Sequence, residues 1–228
     1  MSSDRVILQT ARASKIATAM PINNGEIDVQ SNNVLLAIEG RPNVQHEQSN
    51  MTNPHQRAAA LTYISCTTTH KSQIVSAVSS ALSYADSSYI YLSMTPSAKQ
   101  RYMTWYSTSL ANWNTLKKHY QNIKTALNSK SISFNCGCTQ SNTYAYVYAN
   151  SPYVIYLCDA FWLAPTTGTD SKAGTLVHEI SHFTVVAGTQ DYAYGQAACK
   201  SLAIRNPTQA IQNADSHEYF AENNPALK

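Results

Sequence analysis

The stretch GTLVHEISHFTVVAGTQDYAYG, Gly174–Gly195, constrains the fold more than any other. It carries one His-Glu-x-x-His, at His178, Glu179 and His182. Two imidazoles four residues apart grip one ion from a single helix face, one turn apart. Glu179 lies one step round that helix. There it can reach a water beside the metal without being a ligand, which suits a general base. A catalytic zinc needs three protein ligands and one open position, so the helix must pack against whatever carries the third. One known solution places Gly three residues and His six residues after the second His; here those positions hold Val185 and Gly188. Three carboxylates stay open as candidates. Glu218 and Glu222 lie on a later predicted helix, and Asp191 comes nine residues after His182, within reach if Gly188 turns the chain at the helix end.

The 228 residues suit one domain, or one domain with an appendage. Only 13% are charged, and the polarity comes from Ser, Thr, Asn, Gln and 15 Tyr, the mark of a folded, neutral-polar extracellular protein. The net charge is +3, with no Lys/Arg cluster interleaved with aromatics, which argues against a nucleic-acid partner. No apolar run is long enough to span a membrane. The segment MSSDRVILQTARASKIATAM has no continuous apolar stretch and is not a signal peptide.

Residues 1–61 read differently from the rest. Gly25–Gly40 holds a strand-like run, followed by a polar linker with an Asn50-Met51-Thr52 glycosylation sequon and a plausible processing site at Arg57. From Thr62 the pattern is helical. His70–Met94 offers Ile74, Val75, Val78, Leu82 and Tyr84 to a core, and a second helix is expected from after Pro96 to about Leu127, with Tyr102, Trp105, Leu110, Trp113, Leu116 and Tyr120 on its core face. Thr143–Ala149 and Tyr153–Cys158 form a predicted hairpin about Asn150, Ser151 and Pro152. Helices are expected around 172–186, 191–204 and 208–222. The fold class is α+β, helix-rich, with a small β-hairpin or sheet.

Five cysteines are present: Cys66, Cys136, Cys138, Cys158 and Cys199. In an extended segment Cys136 and Cys138 point to opposite faces and need different partners. Cys138–Cys158 would staple the hairpin, leaving Cys66–Cys136 as the second bridge and Cys199 as a buried thiol.

His178-Glu179-x-x-His182, followed by Gly188-Thr189-x-Asp191-x-x-Tyr194-Gly195, resembles the aspzincin (deuterolysin-type) zinc metallopeptidases. YLCDAFWLAPTTGTDSKAGTLVHEISHF, GTQDYAYGQAA and NADSHEYFAENNPA are similar to the fungal peptidyl-Lys metalloendopeptidases within that family, as is the order of four cysteines. The likeness runs from Thr62 to Lys228. It implies a zincin-like catalytic domain over 62–228, disulfide-stapled as above, with one catalytic Zn²⁺ held by His178, His182 and Asp191. It also implies Glu179 as general base and Tyr194 as oxyanion donor. Asp215 and Glu218, three apart on a predicted helix, would line the pocket for a lysine ammonium, a compact cation with three donors. The expected activity is hydrolysis on the amino side of lysine in protein or peptide substrates. The enzyme is expected to be a secreted monomer, with residues 1–61 as a prosegment remnant and linker that caps the cleft. Ile180, between the ligands, departs from a small polar residue and should alter packing alone. Two other readings are a deuterolysin-like endopeptidase without strict lysine preference and a catalytically silent, secreted zinc-binding protein.

Overall fold

The computed structural model describes residues 6–8, 60–97 and 99–228. The chain divides into two compact units, Met1–Ala13 with Arg57–Lys228, and Ser14–Gln56. The second unit, including the Gly25–Gly40 run and the Asn50 sequon, lies outside the described residues.

The described chain runs β1 (Val6–Leu8), β2 (Leu61–Ile64), α1 (Thr68–Ser93), α2 (Gln100–Trp105), α3 (Trp113–Ser129), β3 (Ile132–Asn135), β4 (Ala145–Tyr148), β5 (Val154–Leu157), α4 (Asp159–Leu163), α5 (Lys172–His182), α6 (Gln196–Arg205), α7 (Pro207–Ala210) and α8 (Ala214–Glu222). Five strands form one mixed sheet in the order β1-β4-β5-β3-β2. The hairpin β4–β5 is antiparallel, with Tyr146 opposite Tyr156, as the two apolar runs predict. β2, β3 and β5 are parallel. Parallel neighbours need a long crossover, and α1–α3 supply it between β2 and β3. Ile132, Phe134, Ala145, Val147, Ile155 and Leu157 alternate into the core from one sheet face.

Helix α1 begins at Thr67, whose side chain accepts a hydrogen bond from His70 N, the usual way to satisfy an orphan donor. Ile74 and Val78 are buried as expected, but Val75 is 52% exposed, because the buried stripe continues through Ala77, Ala81 and Ala85. The expected second helix is two. It stops at Trp105 and resumes at Trp113, with Ser107 at φ 140° between them. Tyr102, Trp105, Trp113, Leu116 and Tyr120 still reach the core. Buried Arg101 donates to Phe220 O and Ser88 Oγ, pinning α2 to the end of α8. His119 and His217 lie 3.0 Å apart, nitrogen to nitrogen, in the interior. Burial pushes their pKa values down to about 4 and about 3, so both are neutral at ordinary pH.

Both expected disulfides are present, Cys66–Cys136 and Cys138–Cys158, and Cys199 is buried outside them. No helix among the described residues is long and apolar enough to cross a membrane.

Candidate metal centre

All eleven residues of α5 are buried. A helix apolar on only one side could not sit there; Leu176, Val177 and Ile180 serve the core while His178, Glu179 and His182 face a polar chamber. Ile180 is fully buried, in line with a packing role. Ser171 caps the helix, accepting from Gly174 N at 2.9 Å. Glu222, from the end of α8, accepts from Ser171 N (2.8 Å), Ser171 Oγ (2.9 Å) and Asp170 N (3.2 Å). A carboxylate at a helix N-terminus is favoured by the exposed N–H groups and the helix dipole. Glu222 thus ties α8 to α5, and among the described residues it belongs to neither group spaced to hold a metal.

Gly174 makes that approach possible. A Cβ there would collide with Glu222 Oε1 and meet Glu218 Cγ at 3.0 Å. Gly174→Ala is therefore expected to lower stability by about 1–3 kcal/mol, the usual cost of overpacking, despite the better helix propensity of Ala. Denaturant unfolding measures it; a variant at least as stable as the parent would show that α8 moves aside freely.

After His182 the helix expected through 186 stops. Ala187 N and Gly188 N turn back onto Phe183 O, and Gly188 takes φ +63°, a conformation that glycine adopts without strain. Residues 191–195 do not begin a helix, as their pattern suggests; α6 starts only at Gln196. The loop is held instead by the start of α8. Gln190 N donates to Gln212 O (2.7 Å) and Ala214 N to Gln190 O (3.0 Å). Buried Asn213 accepts from Tyr192 N and Ala193 N and donates to Ala193 O. Asn213 organises the loop, and sequence reasoning passed over it because its partners lie about twenty positions upstream.

This loop carries Asp191 to the histidines. Asp191 Oδ1 lies 3.2 Å from His178 Nε2 and 3.5 Å from His182 Nε2. Two ligand atoms on one tetrahedral zinc, each about 2.0–2.1 Å away, stand about 3.3 Å apart. The three groups therefore have the spacing of a metal site. The other ring nitrogens face outward. His182 Nδ1 is 2.9 Å from Thr189 O, and His178 Nδ1 is 2.9 Å from Asp215 Oδ1 and 3.4 Å from Glu218 Oε2. A second acidic set, His178 with Asp215 and Glu218, thus lies on the far side of the His178 ring from Asp191, and uses only one histidine of the motif. Tyr194, on the same loop, lies close enough to Asp191 to help hold its carboxyl below the ordinary range, so it too reaches the centre, though not from a helix.

The electrostatics of the three groups suit a bound divalent cation. Burial disfavours charge on His178, but the carboxylates of Asp191, Asp215 and Glu218 facing its two nitrogens outweigh it and hold its pKa well above the ordinary value. Burial would raise the Asp191 pKa, yet His178 and His182 hold it below the ordinary value. Burial and the neighbouring His178 charge push His182 down to about 4. Burial pushes Glu179 up to about 8. Both Glu179 oxygens and His182 Nε2 are buried with no hydrogen-bond partner among the described residues. Such groups are costly to leave so, and in native proteins mark a ligand or catalytic role.

Comparison with known proteins gives the same direction. Residues 91–222 match the family profile described as lysine-specific metallo-endopeptidase, Aspzincin M35. The chain is 47% identical over 191 residues to the peptidyl-Lys metalloendopeptidase of Grifola frondosa, covering 83% of this chain and 53% of that protein. It is 48% identical over 167 residues to the peptidyl-Lys metalloendopeptidase of Pleurotus ostreatus, covering 73% and 99%. An extracellular protease of Aeromonas hydrophila is 49% identical over 162 residues, covering 71% and 46%. The chain thus spans about half the length of the Grifola and Aeromonas relatives. A solved structure of a zinc peptidase from Grifola frondosa matches with TM-score 0.69 and 52% identity, covering 72% of this chain and 100% of that one.

Proposed function

The chain belongs to the aspzincin M35 family of metallo-endopeptidases, and we propose that it is a zinc-dependent endopeptidase that cuts on the amino side of lysine. The observation that carries this reading is the convergence of His178 Nε2 and His182 Nε2 on Asp191 Oδ1 at 3.2 and 3.5 Å. His178, His182 and Asp191 would hold the ion. When bound, zinc acidifies a water and polarises the scissile carbonyl.

The remaining work falls to side chains. Glu179, buried beside the ligands, takes the proton of the attacking water and returns it to the leaving amine. Its raised pKa in the metal-free site reflects burial; a divalent cation alongside would favour its ionised form. Tyr194, at Asp191, offers its phenol to the oxyanion. Asp215 and Glu218 share one face of α8 and bring two carboxylates next to the centre, a field that favours an ammonium at P1′ over an apolar side chain.

Secretion is supported by the two disulfides, which persist in oxidising compartments. The similarity to the Grifola protein covers 83% of the chain, more than residues 62–228 amount to, whereas the Pleurotus protein is matched almost whole by 167 residues. That contrast supports a division into an N-terminal prosegment and a catalytic part starting near Thr62.

The test is digestion of a denatured protein rich in lysine and arginine, with and without a zinc chelator, by the 228-residue chain and by a form starting at Thr62. Mass spectrometry reads the new N-termini. The expected result is chelator-sensitive N-termini that begin with lysine, produced faster by the shorter form. Cuts before apolar residues would discard the lysine pocket. Equal rates for both forms would discard the inhibitory prosegment, and no cuts by a folded, zinc-loaded sample would discard the peptidase.

A further inference from the structure

Asp215 and Glu218 do not stand alike toward the metal centre. Asp215 is fully buried and engages protein with both oxygens. Oδ1 lies 2.9 Å from His178 Nδ1, and Oδ2 accepts from Gly195 N at 2.7 Å. Glu218 Oε2 is farther from the same nitrogen, at 3.4 Å. Gly195 directly follows Tyr194 and has φ +81°, so Asp215 clamps the loop at the residue beside the phenol. One carboxylate therefore touches both parts of the machinery: the imidazole on α5 and the loop carrying Asp191 and Tyr194.

We infer that Asp215 is a positioning residue for the metal ligands, and that direct contact with the substrate ammonium falls to Glu218. The inference rests on the zinc-peptidase reading above and divides the acidic pair that reading treats as one pocket. An imidazole binds a metal through a bare nitrogen, so its other nitrogen must carry the proton. A carboxylate is acceptor-only, and at His178 Nδ1 it selects the tautomer that leaves Nε2 bare toward Asp191 and His182. His182 obtains the same tautomer from the Thr189 carbonyl. A neutral amide at 215 would reverse this. In Asp215→Asn the amide oxygen can still accept from Gly195 N, but the NH₂ group then faces His178 Nδ1. That donor favours a bare Nδ1 and a proton on Nε2, the nitrogen the metal needs.

The experiment measures zinc affinity by competition with a chromophoric chelator for the full chain, Asp215→Asn and Glu218→Gln, together with the Xaa-Lys to Xaa-Arg cleavage ratio of each at saturating zinc. Metal-free melting checks folding. Asp215→Asn is expected to bind zinc roughly 10–100-fold more weakly while its zinc-saturated form keeps the lysine preference. Glu218→Gln is expected to bind zinc as the parent does and to lose that preference. Parental zinc affinity in Asp215→Asn, or loss of lysine preference with affinity intact, would overturn the inference. Should Asp215→Asn not fold, ¹⁵N-histidine NMR of the zinc-loaded parent decides: a protonated Nδ1 on His178 supports the assignment, and a metal-bound Nδ1 overturns it. A parent chain that binds no zinc would instead sink the zinc-peptidase reading itself, a result distinct from either.

Discussion

Glu179→Gln will fold and bind zinc but lose peptide hydrolysis, with kcat/KM falling by about a thousandfold, within the range of about 10²–10⁴ for a positioned general base. Gln keeps the size of Glu and removes only the ability to take a proton. Among the described residues nothing else calls for this carboxylate. It is fully buried, and neither oxygen has a hydrogen-bond partner among the described residues. A structural carboxylate would be capped or paired, as Glu222 is by Ser171. The metal-free variant should therefore be at least as stable as its parent, the usual trade of stability for activity at a working site. The sign with pH can be set out. Burial raises the folded-state pKa of Glu179 from 4.5 to about 8, so between those values the folded protein binds more protons than the unfolded one. Stability from this group is then full below about pH 4.5 and is lost as pH rises through about 8. The advantage of Gln in the metal-free protein should grow across that window. Zinc content, kcat/KM and metal-free melting at two pH values measure all three parts. Activity within a factor of ten of the parent would remove Glu179 from the mechanism.

The sequence made the metal helix legible because its information is local: two histidines one turn apart and a glutamate between them lie within five positions. The hairpin and both disulfides were legible for a similar reason, since alternation in a strand assigns Cys136 and Cys138 to opposite faces. The turn at Gly188, with φ +63°, was legible too, but the stretches 183–186 and 191–195, expected in helices, were not; the bonds from Asn213 hold the second of them as a loop. Those bonds join positions about twenty apart, which no local window sees. The break at 106–112 is alike: Tyr102 and Trp113 each keep their place in the core, with ring centroids 4.9 Å apart, only because the chain between them leaves the helix. Asp215 shows the same limit in the site. Its spacing from Glu218 reads as a paired pocket, while its contacts with His178 and Gly195 appear only once α5, α8 and the loop are packed together.

The largest single loss of stability is expected from the Cys66–Cys136 bridge. Cys66 follows β2 and Cys136 follows β3, so the bridge joins the ends of two parallel strands. Parallel strands pair only after the intervening chain has been ordered, and here that chain is α1, α2 and α3. The bridge closes a separation of 70 residues, against 20 for Cys138–Cys158. In the chain-entropy account the longer loop contributes about 4 kcal/mol and the shorter about 3 kcal/mol. Paired Ala substitutions at 66 and 136 should accordingly cost more than those at 138 and 158, and lower the melting temperature by about 10 °C for a domain of this size. Packing adds to both losses, since Cys136 is 9% exposed and Cys158 is fully buried, but it does not set their order. Denaturant unfolding of the two double variants, both metal-free, gives the order directly. If removing the 138–158 bridge proved the more damaging, the hairpin rather than the α1–α3 crossover would be the part of the fold that most needs its ends held, and the metal helix would depend on β4 and β5 more than on the parallel strands.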